Sequence, residues 1–458
     1  MFKTTLVCGA LLTPFTVMSA NNPEHASIAN TYIESFNELA IAPDDIYPVI
    51  ESLAKHDNIK VELLGNSYEQ RPIYAITLGN GPTKVLMWSQ MHGDENTATK
   101  ALFDFLSFTL DNNQAQWRQT WQDKVTVKII PMLNPDGAAK QTRRNAQGID
   151  INRDAKALNT PEGKILMQVA KDFEADFAFN LHDQNAYYGV GQTAKPATIS
   201  VLAPAYNHAR DINTSRGDAM RLIAHLSTSI NQHIPGHLAK YDDSYSYRSF
   251  GDTFSEMGMR TILIESGAHF NDPKRDVARR LNRIMYKEVI DSIVAKSWQT
   301  AEIAVYDAIP FNTKDAFVDV LIKNVTVRGP YGNYQTDLAI KDEGIFARVN
   351  ELGDVASVRT GFQELDAQGL FYQPPLPLDS QASTELTQQQ FTEALKQGQG
   401  CTESLTPRVK SANKYPVLPC PKQAFPYRHQ SAAFLLSDDK GQVHYGIFGT
   451  DVARVSTN

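Results

Sequence analysis

Residues 83–105 read TKVLMWSQMHGDENTATKALFDF. The run from Val85 to Trp88 is apolar at every position, a polar turn follows, and helical spacing begins near Glu95. A strand without polar alternation cannot keep one face in water, so both of its faces need cover. The pattern recurs in KVTVKIIPMLN (124–134), ADFAFNL (175–181), ATISVLA (197–203) and RTILIES (260–266). Helical stretches separate these strands at 161–174, over most of 207–233, in SFGDTFSEMG and over 272–297. Strands alternating with helices predict an α/β fold, a mixed and mostly parallel sheet sandwiched by helices. KVELLGNS and RPIYAITLG add two strands ahead of it, and helical periodicity is expected over 28–56.

A chain of 458 residues exceeds one ordinary core. After about residue 310 the pattern shifts to period two, in AFVDVLIKNVTVRG, YQTDLAIKD and GIFARVNELG. The expected division is a catalytic domain over 21–305 and a smaller C-terminal β-rich domain over 312–458. Residues 373–425, rich in Pro, Gln and Ser, read as irregular. The net charge of −7 argues against a nucleic-acid or anionic-membrane partner. The N-terminal MFKTTLVCGALLTPFTVMSANN has one Lys, a short apolar run and small residues at Ser19-Ala20. It reads as a signal peptide over 1–20, which predicts export to a periplasmic or extracellular location. Cys401 and Cys420 then remain, either paired in an oxidising compartment or as two buried thiols.

The chemistry gathers at strand ends. His92 and Glu95 follow the first apolar strand, NPDG (134–137) the second, His182 ends ADFAFNL and Glu265 ends RTILI. Polar groups at the carboxyl ends of buried strands are costly unless paired or liganded, and open α/β sheets bind ligands at that edge. Four such cases favour one shared site. His92, Glu95 and His182 make a His₂Glu set, the donor pattern of a catalytic zinc ion with one open position. A carboxylate outside that set would take the proton from the attacking water, and Glu265 is free to do so. TRRNAQGIDINRD (142–154) adds Arg143, Arg144 and Arg153, whose guanidinium planes suit a carboxylate or an oxyanion.

The ordered set HGDE, NPDG, TRRNAQGIDINRD, NLHDQ and ILIESG resembles the zinc carboxypeptidase family, in its exported bacterial form. The resemblance covers roughly residues 45–300. It implies a mixed sheet of about eight strands between helices. It implies one zinc ion held by His92, Glu95 and His182, Arg143 at the scissile carbonyl, Asn152 and Arg153 on the substrate's free carboxylate, and Glu265 as base and then acid. The implied activity is hydrolysis of a peptide bond near a free C-terminal carboxylate. Two alternatives stand beside it: a zinc deacylase of N-acyl amino acids, and a peptide-binding protein on an inactive peptidase scaffold. The chain departs from the family pattern at Asp154, usually Asn, and at Asp183 after the third ligand. The family's mobile tyrosine has three competitors, Tyr241, Tyr245 and Tyr247. The same segment, KYDDSYSYRSFGD, offers Asp242, Asp243 and Asp252 to a basic substrate side chain, or else as helix and turn caps beside an apolar pocket.

Overall fold

The computed structural model describes residues 28, 30–342, 347–378, 385–403, 414–416 and 418–455. The expected signal peptide lies outside these residues. The first half of the chain supplies β1 (Ile59–Asn66), β2 (Pro72–Leu78), β3 (Thr83–Ser89), β4 (Val125–Ile130), β5 (Phe177–Asp183), the two-residue β6 (Gly189–Val190), β7 (Ile199–Leu202), β8 (Leu238–Lys240) and β9 (Arg260–Ser266). All but β6 join one eight-stranded sheet in the order β1-β2-β4-β3-β5-β9-β7-β8. The pairings β3/β4, β3/β5, β5/β9 and β7/β8 are parallel, and β1/β2, β2/β4 and β7/β9 antiparallel.

The unbroken apolar runs are covered on both faces. Along β3, Val85 and Met87 enter one core with Ile76, Phe103 and Ile262. Leu86 and Trp88 point the other way, into a core with Ile73, Leu166 and Phe254. Helix Thr97–Leu110 is buried at nearly every position and packs against helix Asp276–Ala295.

Between those two helices lies a charged knot. Asp104 accepts from Arg279 Nε (2.7 Å) and Nη2 (2.8 Å), from Arg283 Nη1 (2.7 Å) and from the Ile33 N–H (2.7 Å). Arg279 also donates to the carbonyls of Phe36 and Ile33, so the knot ties down the start of the described chain. There the helix is shorter than its periodicity suggests: a 3₁₀ turn at Glu34–Phe36, then a helix at Pro43–Leu53. Pro43 explains the break. A residue before proline is driven out of the helical region, and Ala42 is extended (φ −109°, ψ 168°).

The second half contributes β10 (Asn312–Thr313), β11 (Phe317–Gly329), β12 (Gly332–Asp342), β13 (Ala347–Gly353), β14 (Thr360–Asp366) and β15 (Phe371–Gln373). Strands β11 to β15, with Ala433–Ser437, Val443–Phe448 and Asp451–Arg454, form a second eight-stranded sheet. Its main core gathers Val320, Ile322, Val327, Ile340, Phe434 and Ile447. The stretch expected to be irregular holds a helix, Gln388–Lys396, with a capping box between Thr387 and Gln390. Cys401 and Cys420 are joined by a disulfide. Strand β10 leaves the second half to pair with β6 in the first. Among the described residues no helix is long and apolar enough to cross a membrane.

Removing one partner of a buried ion cluster strands the remaining charges. Asp104→Ala is therefore expected to destabilise the protein by about 3–5 kcal/mol. Chemical denaturation, read by tryptophan fluorescence, checks this.

Candidate metal centre and its cleft

Strand β3 ends at Ser89, and the chain turns so that the Glu95 N–H meets the His92 carbonyl (3.2 Å). The turn is packed against the NPDG segment. A Cβ on Gly93 would stand 2.0 Å from the Gly137 carbonyl carbon, so only glycine fits there. Asn134 braces the contact: its Oδ1 accepts from the Gly137 N–H (2.9 Å) and its Nδ2 donates to the Met91 carbonyl (3.2 Å). Asp136 is fully buried and accepts from Ser67 Oγ, the Glu69 N–H and Arg71. The NPDG group that the sequence reading placed in the shared site is thus a support behind it, and it does not line the cleft.

His182 and Glu265 are register partners on adjacent parallel strands, β5 and β9. This pairing brings a residue of the ligand set beside the expected base. His92, Glu95 and His182 converge and could hold a metal ion, with one ligand atom from each lying within 4.8 Å of the others. His92 Nδ1 lies 2.8 Å from Glu95 Oε1 and 3.2 Å from His182 Nδ1, and His182 Nδ1 lies 2.7 Å from Glu95 Oε2. Two ring nitrogens and a carboxylate thus face one point. The outer nitrogens are held from behind, His92 Nε2 by Asp150 Oδ1 (3.1 Å) and His182 Nε2 near Asn152 Nδ2 (3.4 Å). A ring fixed at Nε2 presents Nδ1 to a cation, so the donor set and its orientation fit zinc.

The electrostatics show how costly this group is to bury. Burial pushes the Glu95 carboxyl up, but the two histidines outweigh it and hold the group well below the ordinary range. Burial lowers His182. Burial also opposes a charge on His92, but Glu95 and Asp150 raise it overall. Glu265 is raised well above a normal carboxyl, first by burial and then by the charges of Glu95 and Asp183. Asp183 is pushed up to about 6, mainly by burial. It accepts from the Thr97 N–H and Oγ1, and its own N–H donates to Glu95 Oε2 (3.2 Å).

All seven expected site residues line one cleft of about 430 Å³: His92, Glu95, Arg143, Asn152, Arg153, His182 and Glu265. Arg143 reaches Glu95 Oε1 (3.1 Å) and pairs with Asp150 (3.1 Å). Arg153 Nη1 donates to the Asn152 carbonyl (2.7 Å), and Asn152 Oδ1 accepts from the Phe250 N–H (3.0 Å). Arg144 is exposed and bonds Gly148 instead. Asp154 holds the turn before helix Pro161–Phe173 by accepting from Asn159, Thr160 N–H and Thr160 Oγ1.

Of the three tyrosines, Tyr241 lines the cleft, beside Tyr188. Tyr245 packs edge-on against His208, and Tyr247 is 57% exposed under Lys156. Of the three aspartates, Asp243 is taken by Arg210 and Arg216, whereas Asp242 and Asp252 line the cleft. Asp252 also caps, accepting from the Ser246 N–H and Ser249 Oγ. Asp150 is a further residue of the site, and its only signal in the sequence is its place two residues before Asn152 in the TRRNAQGIDINRD motif. Gln184, Tyr188, Asn312 and Lys314, which also line the cleft, carry no motif.

Part of this chain is similar to known proteins. The family model for zinc carboxypeptidases matches residues 46–203. Carboxypeptidase SOL1 of Arabidopsis thaliana is 26% identical over 136 residues, covering 26% of this chain and 28% of its own length. An uncharacterized protein of Zymomonas mobilis, ZMO1242, is 24% identical over 144 residues, covering 31% of this chain and 38% of its own. The chain therefore spans well under half the length of the curated relatives it matches. A metallo-carboxypeptidase structure from Burkholderia cenocepacia shares 16% identity over 56% of this chain and 70% of its own, with a TM-score of 0.45. The matched range spans the positions of His92, Glu95, Arg143, Asn152, Arg153 and His182 and ends before Glu265. The place of Glu265 rests on the β5/β9 register.

Partners that orient a metal-binding histidine typically change metal affinity about 10- to 100-fold when removed. Asp150→Ala is expected to weaken zinc binding by that amount with the fold retained. Chelator competition, with circular dichroism alongside, measures it.

Proposed function

We propose that this chain, whose residues 46–203 match the zinc carboxypeptidase family, is an exported zinc-dependent metallocarboxypeptidase acting on peptides with a free C-terminal carboxylate. The observation that carries the reading is the convergence in one cleft of a His₂Glu set, a buried carboxylate beside it and two arginines beyond it. A zinc ion held by His92, Glu95 and His182 would supply a Lewis acid that polarises the scissile carbonyl and acidifies a water. Everything else is work for side chains of this chain.

Asn152 and Arg153 take the substrate's terminal carboxylate, a planar anion suited to a guanidinium and an amide donor. Arg143, aimed at the centre of the ligand set, donates to the oxygen on which negative charge develops. Glu265, buried and raised in pKa, takes the proton from the attacking water and returns it to the leaving nitrogen. Its burial suits it for both halves of that exchange, because a carboxyl raised toward neutrality accepts and gives up a proton readily. Export is supported by the N-terminal apolar segment and by the Cys401–Cys420 disulfide, a bond that persists in oxidising compartments. The division into a catalytic domain over 21–305 and a β-rich accessory domain over 312–458 belongs to the same proposal. Two eight-stranded sheets with separate cores support it.

Glu265→Gln is expected to retain one zinc per chain and lose about 10²- to 10⁴-fold in kcat. Metal analysis with steady-state kinetics on a peptide panel tests it. Near-normal turnover would remove Glu265 from the mechanism. Turnover with no bound zinc would remove the metal.

The two arginines should separate kinetically. Arg143→Ala should act mainly on kcat, because its contact strengthens as the oxyanion forms. Arg153→Ala should act mainly on KM, because the terminal carboxylate is held alike in ground and transition states. Amidating the substrate's C-terminus should mimic Arg153→Ala and add little to it. The opposite split would exchange the two roles.

A further inference from the structure

The cleft is not closed by the first half of the chain alone. Gln184, Asn185 and Tyr188, in the segment after the third ligand, share its lining with Asn312 and Lys314 from the connection into the β-rich half. That connection is held firmly. Asn312 pairs with Val190 and Thr313 with Gly189, Thr313 Oγ1 donates to the Gly191 carbonyl (2.6 Å), and Asn312 Nδ2 donates to Gln184 Oε1 (3.1 Å). From the second sheet, Asp319 accepts from Tyr187 Oη (2.7 Å), with Lys341 over the same ring.

Lys314 follows this clamp directly and is exposed to the cleft. Among the described residues it has no ion pair or hydrogen bond. Asp242, on the same rim, has its own donors in the Ser244 N–H (2.9 Å) and Oγ (2.7 Å). It feels the lysine's charge only at a distance. A cation fixed at its base and left without a partner at the wall of a cleft is a receptor for an anion.

The place in the substrate follows from what is already assigned, and here the inference rests on the peptidase reading. Asn152 and Arg153 take the terminal carboxylate, and the ligand set with Arg143 takes the scissile carbonyl. The wall of Gln184, Tyr188 and Lys314 is left for residues upstream of the scissile bond. The geometry points to Lys314 as a specificity-determining residue that receives an acidic side chain on the upstream part of the peptide. The β-rich half would thus contribute directly to substrate choice. An acidic side chain should gain from the lysine at one of the first two upstream positions, and salt should weaken the gain.

The test reads binding apart from turnover. In a Glu265→Gln background, pentapeptides carrying a neutral dye and a free carboxyl end are compared by fluorescence polarisation. They differ only by Glu, Gln or Lys at the two positions before the terminal residue. Glu should bind about two- to five-fold tighter than Gln at one of these positions, a range set by a single exposed charge pair. Lys314→Gln should erase that ratio, and Lys314→Glu should turn it into a preference for Lys. Equal binding of Glu and Gln peptides to the parent protein, or a ratio unchanged in Lys314→Gln, overturns the inference. Failure of the wild-type chain to cleave any of these peptides would overturn the peptidase reading instead, while the binding ratio still decides the role of Lys314.

Discussion

Two imidazoles and a carboxylate, nearly excluded from water, face one another at the end of two buried parallel strands. Such a group is expensive to assemble: each polar atom loses its hydration, and the carboxylate is compensated only by its neighbours. Glu265 and Asp183 record that cost: burial raises both carboxyls, and the charge on Glu95 adds to it. A divalent cation at the shared point would offset it. The strain in charge and the capacity to bind a metal are therefore one property, and much of the surrounding structure serves to hold it. Asp150 and Asn152 fix the outer ring nitrogens, Asp183 fixes Glu95 through its N–H, and the NPDG turn leaves no room for the ligand loop to move.

This dependence explains why the charged knot at Asp104 matters to a site it does not touch. Helix Thr97–Leu110 begins two residues after Glu95, so the position of that carboxylate depends on where the helix sits. Arg279 and Arg283 lock the helix through Asp104, and the Thr97 N–H and Oγ1 lock its first turn to Asp183. The first turn and the middle of one buried helix are thus held by charge-assisted bonds, the one beside the third ligand and the other to the scaffold.

Most of this was legible in the sequence where local pattern decides structure. An apolar run such as Val85–Trp88 has one solution, a strand covered on both faces, and a polar residue ending such a run must face the sheet edge. His92, Glu95, His182 and Glu265 were found that way. The same rule overreached at NPDG. It locates a polar group at the right edge but cannot tell a lining residue from one turned back to brace a neighbouring loop. Asp136 belongs to the second kind because Ser67, Glu69 and Arg71 come from far along the chain to meet it. The register of His182 with Glu265 was also out of reach, since strand order is a tertiary fact. The helix at Gln388–Lys396 was readable from Thr387 and Gln390 spaced as a capping box, but composition hid it.

Most of the residues that the sequence could not suggest are placed by contacts between distant segments. Gln184 accepts from Ser200 and from Asn312, and so ties the segment after the third ligand both to β7 and to the connection into the second sheet. Tyr187 is fastened to β11 through Asp319. This segment is held by the connection and by the second sheet, so the proposed upstream wall takes its shape from a part of the chain that, among the described residues, adds none to the candidate metal ligands. A peptidase built on the first sheet alone would keep His92, Glu95, His182 and Glu265 in register, because those positions are set by β3, β5 and β9. It would lose the pairing of β6 with β10, and with it the fixed position of Lys314. In the proposed reading the first sheet carries the chemistry and Lys314, on the connection into the second, the choice of substrate, and the two-residue pairing of β6 with β10 joins them.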